Sequence, residues 1–322
     1  MKLERKPILV AAFAVLAVVM LTGFELRPRT GVCTKRHLMF WRTHVRATRL
    51  RDNLYMLNTY GTDLINANTV ALIGNEGTLL VDPGAPEVLD KERSALPSMR
   101  DSRIRFVIDS HAHPDHACAN GEAFNQGAII VGSDNVRKFF ETSDWAPARR
   151  PGDVPQVIYD NEMTLRFDGE LVHLFHPPRA HTEGDTITRF ERGNVIQTGD
   201  VFENHTWPYM RGSSIDGYIA TQEKILGWTN DKTIIVPGHG PLAGRADLVK
   251  SINRMREVRR RIAALIEQGL TKTQILARRP IDDLDPFEGP KENRRQNTSS
   301  EAVAGHVYDS LTENAVSAVK AS

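Results

Sequence analysis

Short apolar runs and longer amphipathic stretches alternate along this chain, and they predict where strands and helices lie. The short runs are bounded by glycine, proline, asparagine and aspartate, which is typical of β-strands joined by turns. They predict strands at residues 55–58, 68–73, 78–81, 104–108, 128–131, 163–167, 171–175, 195–197 and 233–236. The longer stretches predict helices at residues 88–96, 117–124, 134–141, 215–226, 247–268 and 302–311. This alternation indicates a mixed α/β fold.

The N-terminal segment has a different pattern. An uncharged apolar run over residues 8–24 follows the basic residues Lys2, Arg5 and Lys6. This is the arrangement of a secretory signal peptide or of a short membrane anchor. No small-x-small cleavage site follows the run, so we favour an uncleaved signal anchor in residues 1–25 over a cleaved signal peptide. We therefore expect an exported, periplasmic protein with a membrane tether.

The rest of the 322-residue chain is long enough for one large core or two modest ones. We interpret residues 26–50, which are rich in arginine, as a tether, and residues 51–250 as the main folded domain. Residues 251–322 form a helical and irregular C-terminal extension. This extension is compatible with a flap over a site, a packing arm or a dimer contact.

Charge and cysteine content narrow the function. The chain has 41 basic and 40 acidic residues, so its overall charge does not favour a nucleic-acid partner. Two cysteines, Cys33 and Cys118, do not amount to a disulfide framework. We interpret Cys118 as a small buried residue at the start of the predicted helix 117–124.

Four metal-capable side chains follow the predicted strand 104–108 within six residues: His111, His113, Asp115 and His116. Imidazoles and carboxylates are costly to bury unless they have partners, and both are common zinc ligands. Because alternate residues of such a loop point toward different sides, His111 and His113 are placed to share one ion. Asp115 and His116 are placed to reach a second ion.

Three segments further along the chain supply more side chains of the same kind. Residues 180–185 contain His181, residues 198–201 contain Asp200, and residues 237–240 contain His239; the last two segments follow predicted strands. Loops at the ends of strands are where open α/β sheets commonly bind ligands. The four segments together predict a two-metal site.

In order and chemistry, these segments resemble the metallo-β-lactamase superfamily of metallohydrolases, over about residues 52–248. The resemblance implies an αββα sandwich, in which two mixed sheets face each other, helices cover both outer faces, and metals lie at one edge. It also implies two ligand groups and a bridging aspartate. The first group is His111, His113 and His181, the second is Asp115, His116 and His239, and the bridge is Asp200.

The resemblance further implies a reaction. Two Zn²⁺ ions suit these ligands, with iron or manganese possible because Asp200 is a hard carboxylate ligand. A hydroxide between the metals would attack the carbonyl of a small β-lactam, lactone, ester or thioester. Asp115 would orient this nucleophile and relay a proton.

The residue at position 200 separates branches of the superfamily. Zinc β-lactamases have cysteine or serine there, whereas the thioesterase branch, including hydroxyacylglutathione hydrolase, has a bridging aspartate like Asp200. A lysine three residues further binds the substrate carboxylate in one lactamase subclass. Glu203 occupies that position here and is expected to repel such a group. Lactam specificity is therefore less favoured.

Other side chains are weaker candidates. The resemblance suggests that Asp82, which follows a strand, orients a ligand histidine, and we interpret Asp185 as a residue that fixes its loop. His205, Tyr209 and Arg211 are candidate substrate contacts, and Trp207 is compatible with either the cleft wall or the core. We interpret His173 and His176 as structural.

Two other functions within the same superfamily remain open at this point. Some relatives with the same ligand order use one iron to oxidise persulfides. Loss of the second ligand group would favour this function. Because His116 and His239 are both present here, we favour the hydrolase. Nucleic-acid processing usually needs a large insertion between the bridging aspartate and the last histidine. One predicted helix and one strand separate Asp200 from His239, so we expect a small-molecule substrate.

Overall fold

Two β-sheets face each other, and helices cover the outer face of each. This architecture comes from a computed structural model that describes residues 43–61, 67–100, 102–143, 151–287, 289 and 297–321. The four layers confirm the αββα sandwich that the resemblance implied. The predicted signal anchor, residues 1–25, lies outside the described residues.

The first sheet has seven strands in the order β1-β2-β3-β4-β5-β6-β7. β1 to β4 pair antiparallel, and β4 to β7 pair parallel. The bounds are β1 (His44–Arg51), β2 (Leu54–Tyr60), β3 (Asn68–Gly74), β4 (Gly77–Val81), β5 (Ile104–Ile108), β6 (Ile129–Ser133) and β7 (Val157–Tyr159). The parallel strands are connected through α1 (Pro86–Ala95), α2 (Pro97–Arg100), α3 (Pro114–Ala117), α4 (Asn120–Asn125) and α5 (Asp134–Thr142).

The second sheet has five strands in the order β12-β11-β10-β9-β8, and only β11 and β12 pair parallel. Its strands are β8 (Glu162–Phe167), β9 (Glu170–Phe175), β10 (Ile187–Phe190), β11 (Val195–Gln197) and β12 (Ile234–Val236). The helix α6 (Ile215–Trp228) connects β11 to β12. The chain then continues into α7 (Arg245–Glu267), α8 (Lys272–Ala277) and α9 (Ser300–Ala321).

Alternation along the strands builds the layers, because successive side chains of a strand point to opposite faces. In β3, Val70 and Leu72 join the central core between the sheets, whereas Ala71 faces the helices α1, α2 and α4. On the second sheet, Val195 of β11 joins the central core and Ile196 faces α6 and α7. The two sheets are thus held together by one continuous apolar layer.

The structure corrects four sequence interpretations. Residues 44–50 are part of β1 and not of a tether, and the boundary at residue 250 falls inside α7. The predicted helix 117–124 is two short helices, α3 and α4. Cys118 lies half-buried between these two helices and is disulfide-bonded.

No helix among the described residues combines the length and the apolar character that crossing a bilayer requires.

Glu92 of α1 has a buried carboxyl group, on the same side of the helix as the buried residues Val88 and Leu89. Burial raises the pKa of Glu92 well above its ordinary range, and the nearby hydroxyl of Thr69 only partly offsets this effect. The folded protein therefore holds a proton that the unfolded chain releases above the ordinary glutamate pKa. Because the folded state then binds more protons, stability falls as pH rises from the unfolded pKa toward the folded pKa.

We predict that Glu92→Gln removes this loss, because an amide cannot ionise. The variant should show a higher melting temperature than the wild type at neutral pH, and the difference should shrink below pH 4.5, the ordinary glutamate pKa. Thermal unfolding from pH 4 to pH 8 measures it, with Glu87→Gln on the same helix as the matched control. An equal pH dependence in the wild type and Glu92→Gln would contradict the prediction.

Candidate metal centre

Loops from both sheets bring all seven predicted ligands together at one edge of the sandwich. The first loop leaves the C-terminal end of β5, and two others leave the ends of the parallel strands β11 and β12. His181 comes from the loop between β9 and β10. The seven side chains form two groups of convergent ligand atoms.

The first group contains His111, His113, His181 and Asp200. The Nδ1 atom of His113 lies 2.9 Å from His111 Nε2 and 3.1 Å from His181 Nε2. Asp200 Oδ2 closes the group at 3.8 Å from His111 Nε2 and 3.6 Å from His181 Nε2. Four potential donor atoms thus face a common centre.

The second group contains Asp115, His116 and His239. The Nε2 atoms of the two histidines are 3.3 Å apart, and Asp115 Oδ2 lies 3.4 Å from His239 Nε2. Asp200 Oδ1 completes it, at 3.3 Å from His116 Nε2 and 3.4 Å from His239 Nε2. Asp200 therefore directs one carboxylate oxygen toward each group.

The donor set fits a pair of divalent metal ions. Zinc–nitrogen bonds of about 2.0–2.1 Å in a tetrahedron separate neighbouring ligand atoms by roughly 3.3 Å. The nitrogen and oxygen atoms of both groups are separated by similar distances. Packing imidazole nitrogens against one another in a protein core is costly unless hydrogen bonds or a cation satisfy their lone pairs, and a shared metal ion would do so. The chemistry of the donors suits zinc and also permits iron or manganese.

Electrostatics within the site depend on the balance of burial and charge. Burial, with help from the neighbouring His116 and His113, lowers the pKa of His111 well below its ordinary range. Burial alone would raise the pKa of Asp200, but His239 and His116 hold it well below its usual range. Burial also opposes protonation of His116, yet the carboxylates of Asp200, Asp82 and Asp115 raise its pKa. Asp200 is thus ionised and surrounded by groups that stabilise its charge.

Side chains behind the ligands hold the imidazole rings in place. Asp82 Oδ2 accepts a hydrogen bond from His116 Nδ1 at 3.0 Å, so the Nε2 lone pair of His116 faces the centre. Asp82 is itself held by Gln197 Nε2 and by the backbone N–H of Ser110, both at 2.7 Å. The Ser110 hydroxyl lies 2.9 Å from His111 Nδ1. Asp82 thus contacts His116 on the side of the ring that faces away from the centre.

Close backbone packing brings Asp200 and His239 together. Gly238 donates its backbone N–H to Gly199 O at 2.8 Å. A Cβ atom at Gly238 would overlap Asp200 Oδ1 and the backbone of Gly199. Glycine at position 238 is therefore required by the approach of the two loops that carry these ligands.

Several predicted supporting residues have structural roles. Asp185 accepts hydrogen bonds from the backbone N–H and hydroxyl of Thr182, which fixes the loop that carries His181. His176 Nδ1 lies 2.6 Å from Asp185 O, and His173 Nε2 lies 2.7 Å from Glu191 Oε2. These contacts agree with the structural interpretation of both histidines.

Glu203 and Trp207 are interior residues. The Glu203 side chain is buried, and its Oε1 accepts a hydrogen bond from the backbone N–H of Tyr209. Its carboxylate braces the loop after Asp200, so the expectation that it repels a substrate group from the cleft is wrong. Trp207 is fully buried and donates its indole N–H to Ser300 at 3.0 Å, which decides for the core over the cleft wall.

The three candidate substrate contacts lie in different places. The ring of Tyr209 is 5.9 Å from His113 and 6.4 Å from His181, measured between centroids, so it stands beside the first group. His205 lines a cavity together with His239. Arg211 is exposed. Burial lowers the pKa of His306 of α9, and the charges of Lys272 and Arg211 add to this effect.

The C-terminal helix α9 supports the site from outside, which the sequence did not indicate. His306 of α9 lies 6.3 Å from the ring of Tyr209. Val303 and Val307 of α9 pack with Trp207 and Ile215 in one apolar cluster. Of the three roles considered for the extension, the contacts of α9 fit a packing arm. The spacing of its apolar residues predicted a helix, but no local pattern indicated which residues this helix packs against.

Comparisons with known proteins identify the family. Residues 62–247 match the family model of the metallo-beta-lactamase superfamily, which is more than half of the chain. A metallo-beta-lactamase type 2 of Bacillus cereus is 20% identical over 219 residues, which covers 65% of this chain and 82% of that protein. Another, of Elizabethkingia meningoseptica, is 23% identical over 164 residues, which covers 50% of this chain and 63% of that protein. The chain belongs to the metallo-β-lactamase superfamily.

Solved structures with the same fold include two different kinds of enzyme. A metallo-beta-lactamase from Pontibacter korlensis matches with a TM-score of 0.57 and 14% identity, over 66% of this chain and 99% of that one. The sec-alkylsulfatase Pisa1 from Pseudomonas sp. matches with a TM-score of 0.63 and 15% identity, over 82% of this chain. This chain spans half the length of that sulfatase. These likenesses establish the fold.

We predict that Gly238→Ala disrupts the site, because the added methyl group displaces Asp200 from between the two groups. The variant should bind fewer than two metal ions per chain and lose about 1–3 kcal/mol of stability from overpacking. Metal titration followed by thermal unfolding measures both effects. Gly227→Ala is the control, because a Cβ atom there meets open space on α6. Retention of full metal binding in Gly238→Ala would refute the assignment.

Proposed function

We propose that this protein is a dinuclear metal-dependent hydrolase that acts on a small-molecule β-lactam, lactone, ester or thioester. The position of Asp200 carries the proposal. Its two carboxylate oxygens face different groups of ligands, each of which is complete. A single-metal enzyme needs only one such group, so the second supports hydrolysis over the mononuclear iron oxygenase reading.

Each side chain has a proposed role. His111, His113 and His181 would hold the first ion, and Asp115, His116 and His239 the second, with Asp200 shared between them. When bound, two divalent ions supply an activated water nucleophile at neutral pH and a Lewis acid for the substrate carbonyl.

Asp115 is suited to a further task, because 14% of its side-chain surface is exposed while Asp200 is almost fully buried. From this position Asp115 would orient the nucleophile and carry its proton toward the leaving group.

Zinc is the proposed metal, since five imidazoles dominate the donor set. The comparisons bear on the choice of substrate. The lactamase structure matches 66% of this chain. The match to the alkylsulfatase covers a larger share of this chain than the lactamase match does. This observation favours hydrolysis of a sulfate ester as a second candidate function.

The test combines metal analysis with a substrate panel on the full chain, since β1 begins at His44 and belongs to the fold. We expect two zinc ions per chain and hydrolysis of at least one of nitrocefin, a thioester, a lactone and octan-2-yl sulfate. Asp115→Ala should lower kcat by about 10²-fold or more, as expected when a proton-transfer group is lost. Asp231→Ala, an exposed aspartate before β12, is the matched control and should leave kcat unchanged.

The outcomes separate the functions. Turnover of nitrocefin or of octan-2-yl sulfate alone selects the lactamase or the sulfatase reading. One iron per chain with no hydrolysis would overturn the proposal in favour of the oxygenase.

We also propose that the protein works in an exported, oxidising compartment. The apolar run at residues 8–24 supports export. The disulfide at Cys118 supports it independently, because such bonds persist in oxidising environments. The sequence contains one other cysteine, Cys33.

Cell fractionation and thiol titration of the denatured, unreduced protein test this proposal. We expect the protein in the periplasmic or membrane fraction, with no titratable thiol. Cys118→Ser, which should expose one thiol, is the control for the titration. Cytosolic protein with two reactive thiols would contradict export.

A further inference from the structure

A cavity of about 590 Å³ opens beside His239, on the side of the second ligand group. Its walls come from the β1–β2 hairpin, from the turn at residues 204–206 and from the turn at residues 239–242. Its position against His239 makes it a continuation of the metal centre. This cavity, which we call the hairpin cavity, has no role in the function proposed above.

The floor of the hairpin cavity is rigid. Asn68 on β3 donates hydrogen bonds from Nδ2 to Pro237 O and Gly240 O, both at 2.9 Å. The backbone N–H of Asn204 donates to His239 O at 3.0 Å. These bonds fix the turn that carries His239 against the turn that carries His205. A preformed cavity loses less conformational entropy when it binds a ligand.

Arg46 of β1 is directed to the hairpin cavity by the alternation of the strand. Val45 and Ala47 pack toward α1 on the outer face, so Arg46 and Thr48 face the other way and line the cavity. The guanidinium carbon of Arg46 lies 5.4 Å from the centroid of the Tyr60 ring. Stacking on an aromatic ring holds an arginine in place while its donors stay available.

The charge of the hairpin cavity is positive. No carboxylate of the described residues forms an ion pair with Arg46, and no acidic side chain from that part of the chain lines the cavity. His205 contributes a second polar side chain from a left-handed backbone conformation, with φ at 59°. Non-glycine residues seldom adopt this conformation, and it occurs preferentially at functional sites.

The remaining wall is apolar. Met56, Leu242 and Phe287 line the hairpin cavity between His239 and its opening. Apolar side chains of this kind bind a hydrocarbon body by removing its surface from water. The cavity thus combines an apolar wall with one cation, the exposed guanidinium of Arg46 beside the Tyr60 ring.

We propose that the hairpin cavity binds the part of the substrate that carries an oxyanion, a carboxylate or a sulfate, on an apolar body. Arg46 would bind the oxyanion through paired N–H donors, and His205 would contact the same group. This inference rests on the proposed hydrolase function, because the bound anion is part of a substrate only if the protein is an enzyme. Binding of the anion itself is independent of catalysis. It assigns recognition of an anion to β1, whereas Glu203, at the lysine position of one lactamase subclass, is buried.

Binding of non-hydrolysable probes tests the proposal directly. Isothermal titration of the full chain uses octane-1-sulfonate, octanoate and octan-1-ol, each below the concentration at which micelles form. The two anions should bind more tightly than the alcohol, and Arg46→Gln should weaken both by about tenfold to a hundredfold. The alcohol should bind Arg46→Gln as it binds the wild type, and Arg46→Lys should retain part of the preference. Preference for the sulfonate or for the carboxylate distinguishes the two kinds of oxyanion.

Arg49→Gln is the matched control, because Arg49 is an exposed arginine of the same strand whose Nε donates to Asp52 O. It should bind all three probes as the wild type does. Equal effects of Arg46→Gln and Arg49→Gln, or anions that bind no better than octan-1-ol, would overturn the proposal.

A pair of esters of equal length links the cavity to turnover. The wild type should favour 4-nitrophenyl hydrogen glutarate over 4-nitrophenyl pentanoate in kcat/KM, and Arg46→Gln should lose this preference through KM. If neither ester is hydrolysed while anion binding still depends on Arg46, the hydrolase proposal loses support and the binding site stands. If both esters are hydrolysed and Arg46→Gln changes neither rate, the hydrolase proposal stands and the anion-binding proposal is overturned.

Discussion

The carboxylate of Asp200, held between two clusters of histidine side chains, is the constraint on which the rest of the site depends. Its oxygens lie within 3.3–3.8 Å of four imidazole nitrogens that come from three segments, those that follow β5, β9 and β12. A buried carboxylate is unfavourable unless cations or hydrogen-bond donors surround it. Both sheets must therefore dock in one register, since ligands of the first sheet and of the second meet at this group.

The second layer of residues explains how a mostly buried polar site remains ordered. Asp82 accepts from His116, Gln197 and the Ser110 backbone, so one carboxylate links β4, β5 and β11. Asp185 likewise fixes the loop that carries His181, because it accepts hydrogen bonds from Thr182. Carboxylates in this arrangement orient imidazole ligands and strengthen their electron donation to a metal. The sandwich thus presents lone pairs in fixed directions.

Two of the elements outside the family match, β1 and α9, have distinct contributions. β1, which precedes it, supplies Arg46 to the cavity beside His239. The helix α9, which follows it, packs on the segment after Asp200 and brings His306 near Tyr209. The ligand groups, which lie inside the family match, are therefore flanked by elements that lie outside it. Elements of this kind are where differences in substrate are expected to arise.

Much of the fold and of the ligand set was readable from the sequence alone. Short apolar runs predicted β3, β5 and β11 nearly residue by residue, because a buried strand depends on local pattern. The spacing from His111 to His116, with Asp200 and His239 after strands, determined the chemistry of the site and the family. Tertiary structure alone decided that residues 44–50 join the sheet, that Glu203 turns inward and that α9 supports Tyr209. These features depend on contacts between residues that are distant in sequence. The local pattern of apolar and polar residues predicts an element but does not indicate which distant residues it contacts.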